Sequence, residues 1–140
     1  MNENVIARAS EIVNEKAKTH ELNFCSLALV DADGYPTVST ISISKADGIK
    51  WLTFCTGYGS KDEKIKLSDK AGVCINASDY NISLSGRLEV VTDPAVKKEM
   101  WYDGLTDHFS GYDDPGYCVL KFTTESYNLL VDWNEAKGRL

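Results

Sequence analysis

Ser60 and Lys61 follow a strand-like run, Trp51-Leu52-Thr53-Phe54-Cys55-Thr56-Gly57, and precede a helical pattern. A strand that enters a Gly/Ser/Lys loop and then a helix offers backbone N–H groups, hydroxyl donors and a positive helix N-terminus to one anion, and a phosphate suits that chemistry. On the residues alone, Lys61 also reads as a solvated helix-start lysine and Ser60 as a helix cap, a use compatible with phosphate donation. The remaining reactive side chains stand apart. His20 closes the first helical pattern, where it complements the helix dipole, and His108 lies in an acidic, aromatic loop with no acid–base partner. Asp113 and Asp114 read as turn formers before Pro115. Cys25, Cys55, Cys74 and Cys118 each sit inside apolar runs, and no CxxC or Cys/His pairing exists, so the sequence predicts neither a zinc site nor a disulfide framework.

These groups need a scaffold, and the spacing of apolar residues predicts one. Val5, Ile6, Ala9, Ile12, Val13 and Ala17 recur at helical intervals over Val5 to Lys18. Phe24 to Val30 is a compact apolar run, Asp31-Ala32-Asp33-Gly34 a turn, and Tyr35 to Ser44 alternates, which together predict a hairpin. Ser39 and Ser42 fall among the polar positions of that second strand, where a solvent-facing role is the plain reading. Asp47-Gly48 marks a turn that accepts positive φ before Trp51 to Phe54. Lys61 to Leu67 reads as a short helix and Ala71 to Asn76 as a buried strand. Ile82 to Val91 alternates as a long strand, with Gly86 marking a bulge or a close approach. Asp93 caps, and Pro94 opens, a helix through Trp101. A loop from Asp103 to Pro115 precedes two last strands, Tyr117 to Phe122 and Ser126 to Trp133. Trp51, Trp101 and Trp133 are expected in the core or at an interface.

The chain has 140 residues, 43% of them apolar and 26% charged, which suits one ordered domain over residues 1–140 with its own core. A net charge of −6 and a pI near 4.9 argue against a nucleic-acid partner and require that any bound anion be held locally. No apolar run reaches the roughly 18 residues of a membrane span, and Met1-Asn2-Glu3-Asn4 lacks a signal-peptide layout, so a cytoplasmic location is expected. Many strands joined by short turns, with three helical patterns and no βαβ alternation, predict a mostly β protein of the antiparallel barrel or sandwich type.

A family resemblance spans nearly the whole chain. Gly34-Tyr35-Pro36, Asp47-Gly48-x-x-Trp51, Thr56-Gly57-x-Gly59-Ser60-Lys61, Leu84-Ser85-Gly86-x-Leu88-x-Val90-Val91-x-Asp93, Trp101 and Asp113-Asp114-Pro115-Gly116-Tyr117-Cys118-Val119-Leu120 occur in an order and spacing that resembles the pyridoxamine 5′-phosphate oxidase-like flavin-binding split barrels, the general stress protein branch above all. The resemblance implies a six-stranded antiparallel Greek-key split β-barrel with flanking helices, a homodimer, and FMN in the groove between subunits. It further implies that Ser39 and Ser42 meet the ribityl chain or ring, Cys55 and Thr56 line the ribityl-phosphate, Ser60 and Lys61 hold the phosphate, and Asn81 meets the flavin.

Two departures stand out. The family's Ser-x-Lys is compressed to Ser60-Lys61, leaving Lys64 as the other candidate phosphate lysine, and Ser39 replaces the strand arginine, a strong bidentate phosphate ligand. The chain also closes at Lys137-Gly138-Arg139-Leu140, without the extension that carries substrate-binding residues in true pyridoxamine phosphate oxidases, so oxidation of vitamin B6 is not expected. The implied function is FMN-dependent redox chemistry on a small molecule. The other reading is a flavin-binding or stress-response module without turnover. Haem or deazaflavin is disfavoured, because no clustered His or Cys offers an axial ligand.

Overall fold

The computed structural model of the protein describes residues 2–19 and 22–140; the expectation for His20 lies outside them. The opening helix, α1 (Asn2–Lys18), buries Val5, Ala9, Val13 and Ala17, one residue per turn on a single stripe. Strands β1 (Phe24–Val30), β2 (Pro36–Asp47) and β3 (Trp51–Gly57) follow, then helix α2 (Ser60–Leu67), strands β4 (Lys70–Ala77) and β5 (Tyr80–Val91), helix α3 (Pro94–Met100), a 3-10 segment (Asp103–Asp107), and strands β6 (Tyr117–Val131) and β7 (Asn134–Arg139).

All pairings among the strands are antiparallel, in the order β3-β2-β1-β4-β5-β6-β7, and β3 also pairs with β6. Those pairings close six strands into the barrel expected from the sequence, with β7 as an added edge. Closure leaves little exposed edge, and inward side chains fill the interior. Leu27, Ile43, Leu52, Phe54, Ile75, Ile82, Leu84, Leu120, Phe122 and Leu129 are each buried to within 1% exposure.

The sequence reading divides the last strand region in two, whereas β6 runs unbroken through Thr123-Thr124-Glu125. Those polar residues mark where β6 leaves its pairing with β3 and takes up β7 on that side, not a break in the strand. Gly86 faces this crossing. The register of β5 on β6 slips between Ser85 and Gly86, and a Cβ at Gly86 would lie 2.0 Å from the Thr123 carbonyl oxygen. The bulge is therefore built around the missing side chain.

Two further features fix β3. At the β2–β3 turn, Gly48 has φ 55°, and its N–H donates to Asn14 Oδ1 at 2.7 Å while Ile49 N–H donates to Ser10 Oγ at 3.3 Å, tying the turn to α1. A Cβ at Gly48 would meet Ser10 Oγ at 2.6 Å. On the opposite flank, Cys55, Met100, Leu105, Tyr117 and Val119 form a second apolar cluster. That cluster packs α3 and the 3-10 segment against the outer side of β3 and β6. Asp93 caps α3 as predicted, accepting from Ala95 N–H at 2.9 Å, with Pro94 in its first turn.

Candidate functional site

A cleft of about 440 Å³ opens where the end of β3 meets the segment that follows α3. Its volume is within the range of roughly 300–1,000 Å³ usual for small-molecule sites. One side is barrel: Thr40, Ile41 and Ser42 from β2, and Cys55, Thr56 and Gly57 from β3. Lys61 of α2 stands at one end, and Phe24 adds an aromatic edge from β1. Tyr102, Gly104, Leu105, His108 and Phe109 form the opposite wall.

That wall is held by specific contacts. Trp101 and Phe109 each pack against the Tyr117 ring with centroids 5.3 Å apart. Phe109 lies beside the end of β3, where a Cβ on Gly57 would come into ordinary contact with its ring at 3.5 Å. Burial raises the Tyr102 phenol, partly offset by hydrogen bonds with the side chains of Asn23 and Ser42. Asn23, itself fully buried, donates through Nδ2 to the Ile43 carbonyl and accepts the Ile43 N–H on its own carbonyl. Tyr102 thereby anchors the segment to the strand that carries Ser42. Lower in the loop, Asp114 accepts from Ser110 N–H at 2.9 Å and Gly116 N–H at 2.8 Å, which draws its carboxyl below the ordinary value. The turn-forming role expected for Asp114 is the one observed.

Cys55 forms the cleft floor. Its Sγ lies 3.4 Å from both Tyr117 Oη and the Met100 carbonyl, and burial raises the thiol. Tyr117 Oη donates to the Lys97 carbonyl at 2.9 Å, and burial pushes this phenol far upward. Both groups are protonated and neutral at ordinary pH and are hydrogen-bonded to main-chain carbonyls, so Cys55 brings no ready base to the floor. Hydroxyl-bearing Thr40, Ser42 and Thr56, with Lys61, line the other sides. His108 is exposed at the cleft wall.

Of the residues proposed from the sequence, the cleft gathers Ser42, Cys55, Thr56 and Lys61. Ser60 is the exposed first residue of α2, beside Lys61 and outside the lining. Ser39 is exposed on β2 opposite Leu27, away from the lining. Asn81 is exposed near the β4–β5 turn and accepts a hydrogen bond from Cys74 Sγ at 3.4 Å. Lys64, the other candidate lysine, reaches Thr37 Oγ1 at 3.1 Å and does not line the cleft. The reading missed Phe24 at the start of β1 and, after Trp101, Tyr102, Leu105 and Phe109, the last three signalled only by the aromatic content of their loop. Among the described residues no group of His, Cys, Asp or Glu is placed to hold a metal ion, and no helix is long and apolar enough to cross a membrane.

A closed six-stranded antiparallel barrel with an added edge strand, flanking helices and a ligand-sized cleft at a strand-to-helix loop defines the class. Residues 14–130 match the pyridoxamine 5′-phosphate oxidase family model, and the chain belongs to that family. Three solved structures share the fold. A protein related to general stress protein 26 from Clostridium acetobutylicum is 23% identical, covers 95% of each chain and superposes with a TM-score of 0.80. General stress protein 26 from Bacillus anthracis is 19% identical over 91% of this chain and 98% of that one, with a TM-score of 0.73. A pyridoxamine 5′-phosphate oxidase-related, FMN-binding protein from Nostoc punctiforme is 16% identical over 97% of this chain and 86% of that one, with a TM-score of 0.68. No curated protein matches the chain.

Proposed function

We propose that this protein binds FMN in the cleft between β3 and the segment after α3, and that it is a flavin-dependent oxidoreductase acting on a small molecule. The observation that carries the reading is the make-up of the cleft: a lysine and a strand-end threonine at one end, hydroxyl groups along one side, and Phe24, Tyr102 and Phe109 around it. That donor set suits a phosphate monoester, a polyhydroxyl chain and a planar aromatic ring in turn. Membership of the family and the FMN-binding relative from Nostoc punctiforme support the same choice of ligand.

In this reading Lys61 and Thr56 hold the phosphate, with Ser60 beside Lys61 reaching it from outside the lining, Ser42 and Thr40 meet the ribityl chain, and the aromatic residues exclude water from the ring. The flavin, when bound, supplies two-electron redox chemistry. The protein contributes position and electrostatics, with His108 as the cleft side chain suited to move a proton. A flavin-holding module without turnover is the second reading, favoured by Ser39 on β2, where a serine supplies no charge for a phosphate.

Titration of FMN and riboflavin, followed by flavin fluorescence, tests the proposal. Saturable FMN binding is expected, and Lys61→Ala should weaken it roughly tenfold while leaving riboflavin unchanged, as fits the loss of one charge-assisted contact. Absence of binding would overturn the flavin reading. Repeated reduction and reoxidation of the bound flavin with a nicotinamide or other small-molecule donor separates enzyme from module.

A further inference from the structure

We propose that Asp62 is a specificity residue of the cleft, one that weighs against phosphorylated ligands and narrows the preference for FMN over riboflavin. The inference rests on the flavin reading for its ligand but on a different observation. The Gly59 N–H, in the loop between β3 and α2, donates to Asp62 Oδ1 at 2.5 Å. Gly59 stands between Gly57 and Lys61, which both line the cleft, and its N–H, a donor that a phosphate held by Lys61 would seek, is already satisfied by the chain's own carboxylate.

Charge adds to the effect of occupancy. Asp62 is followed by Glu63 in the first turn of α2, so two carboxylates stand beside the single cleft lysine, Lys61. Lys64, the next cation, is turned to Thr37. Asp62 is half-buried, so solvent screens its charge less than that of a fully exposed group. Its field reaches the strand end that lines the cleft. Burial raises the Cys118 thiol most and Asp62 adds to it next, and Cys118 pairs in register with Thr56. A phosphate drawn toward Lys61 and Thr56 therefore meets a like charge and finds the Gly59 amide taken. Riboflavin, which has no phosphate, meets neither obstacle.

Asp62→Asn removes the charge and keeps an oxygen that can cap Gly59, so it isolates the electrostatic effect. Fluorescence titrations of FMN and riboflavin into the parent and this variant should show FMN binding about tenfold tighter in the variant, with riboflavin unchanged, the size expected for one like charge at close range. An FMN-to-riboflavin ratio that is unchanged or lower in the variant would overturn the role of Asp62 while leaving flavin binding intact. A second measurement covers the case in which neither flavin binds either protein, an outcome that removes the flavin reading. The Gly59 amide is followed by ¹⁵N NMR during titration with inorganic phosphate. A response at lower phosphate concentration in the variant than in the parent upholds Asp62 as the residue that excludes the anion; an equal response in both overturns it.

Discussion

Lys61 and Asp62 are neighbours in the first turn of one short helix and act in opposite directions on an anion, which makes the phosphate end of the cleft a balance and not a simple cradle. The thiols around the cleft and core are the other feature that burial controls at this scale. Burial pushes the Cys25 thiol up to about 12 and the Cys118 thiol up to about 11, from an ordinary 9.0. In the unfolded chain both would lose their protons as pH passes 9.0, whereas the folded protein keeps them. The stability tied to these protons is fully present below pH 9.0 and is lost as pH rises toward 12. Melting temperature should hold steady through neutral pH and fall progressively above about pH 9, and Cys25→Ala should flatten that alkaline slope. An unchanged slope would mean that the thiols stay exposed to water in the native state. Of the residues that line the cleft, Lys61 was legible in the strand–loop–helix run that carries it, and Ser42, Cys55 and Thr56 only through the family resemblance. Tyr102 and Phe109 were not, because their place depends on Tyr117, Asn23 and Ser42, contacts between distant parts of the chain that leave no local pattern.

Among the elements, the β6–β7 hairpin departs furthest from what its sequence suggests. Its turn residues Asp132 and Trp133 have φ of 50° and 67°, a conformation that two-residue hairpins require and that Gly or Asn at the second position satisfies with least strain. Trp133 is 78% exposed, so the core does not compensate for the strain; of the two places the sequence suggested for it, core or interface, the core is not the one it takes. Trp133→Gly should therefore stabilise the fold by about 1 kcal/mol, a rise in melting temperature of about 3 °C for a chain of this size. A fall would show that the indole contributes packing that outweighs the strain of its backbone. Strand β7 itself was not legible, because in Asn134-Glu135-Ala136-Lys137-Gly138-Arg139 only Ala136 is buried. Main-chain pairing with β6 forms that strand, and its side chains carry almost no alternation to announce it. The long strand β5 was legible because it has one buried and one polar face, whereas β2 buries Ile41 and Ile43 and leaves most of its first half, Val38 included, exposed.

At the scale of the whole molecule, the barrel leaves an outer face of small and apolar residues across β2, β1, β4 and β5. Phe24, Ala28 and Val38 lie on it in register, with Gly72, Cys74, Ser83 and Ser85 alongside, and Phe24 and Val38 are 50% and 70% exposed. An apolar, nearly featureless face of this kind suits close approach of a second copy, and we propose that the homodimer forms there. Such a pairing would bring the exposed Asn81 of one subunit toward its partner. Light scattering should return twice the mass of one chain, and Val38→Lys should shift the protein toward monomer; a parent that is monomeric at high concentration would contradict this arrangement. The net charge of −6 sets a further condition, since an anionic ligand gains nothing from the overall field and depends on Lys61 and the loop amides. The central claim is the location of the flavin, and ¹⁵N NMR of the protein titrated with FMN tests it most directly. The account predicts that the amides of Ser42, Thr56, Gly57, Lys61, Gly104 and His108 shift together and saturate at one equivalent per chain, whereas shifts confined to the 132–135 hairpin, or no shifts at all, would contradict it.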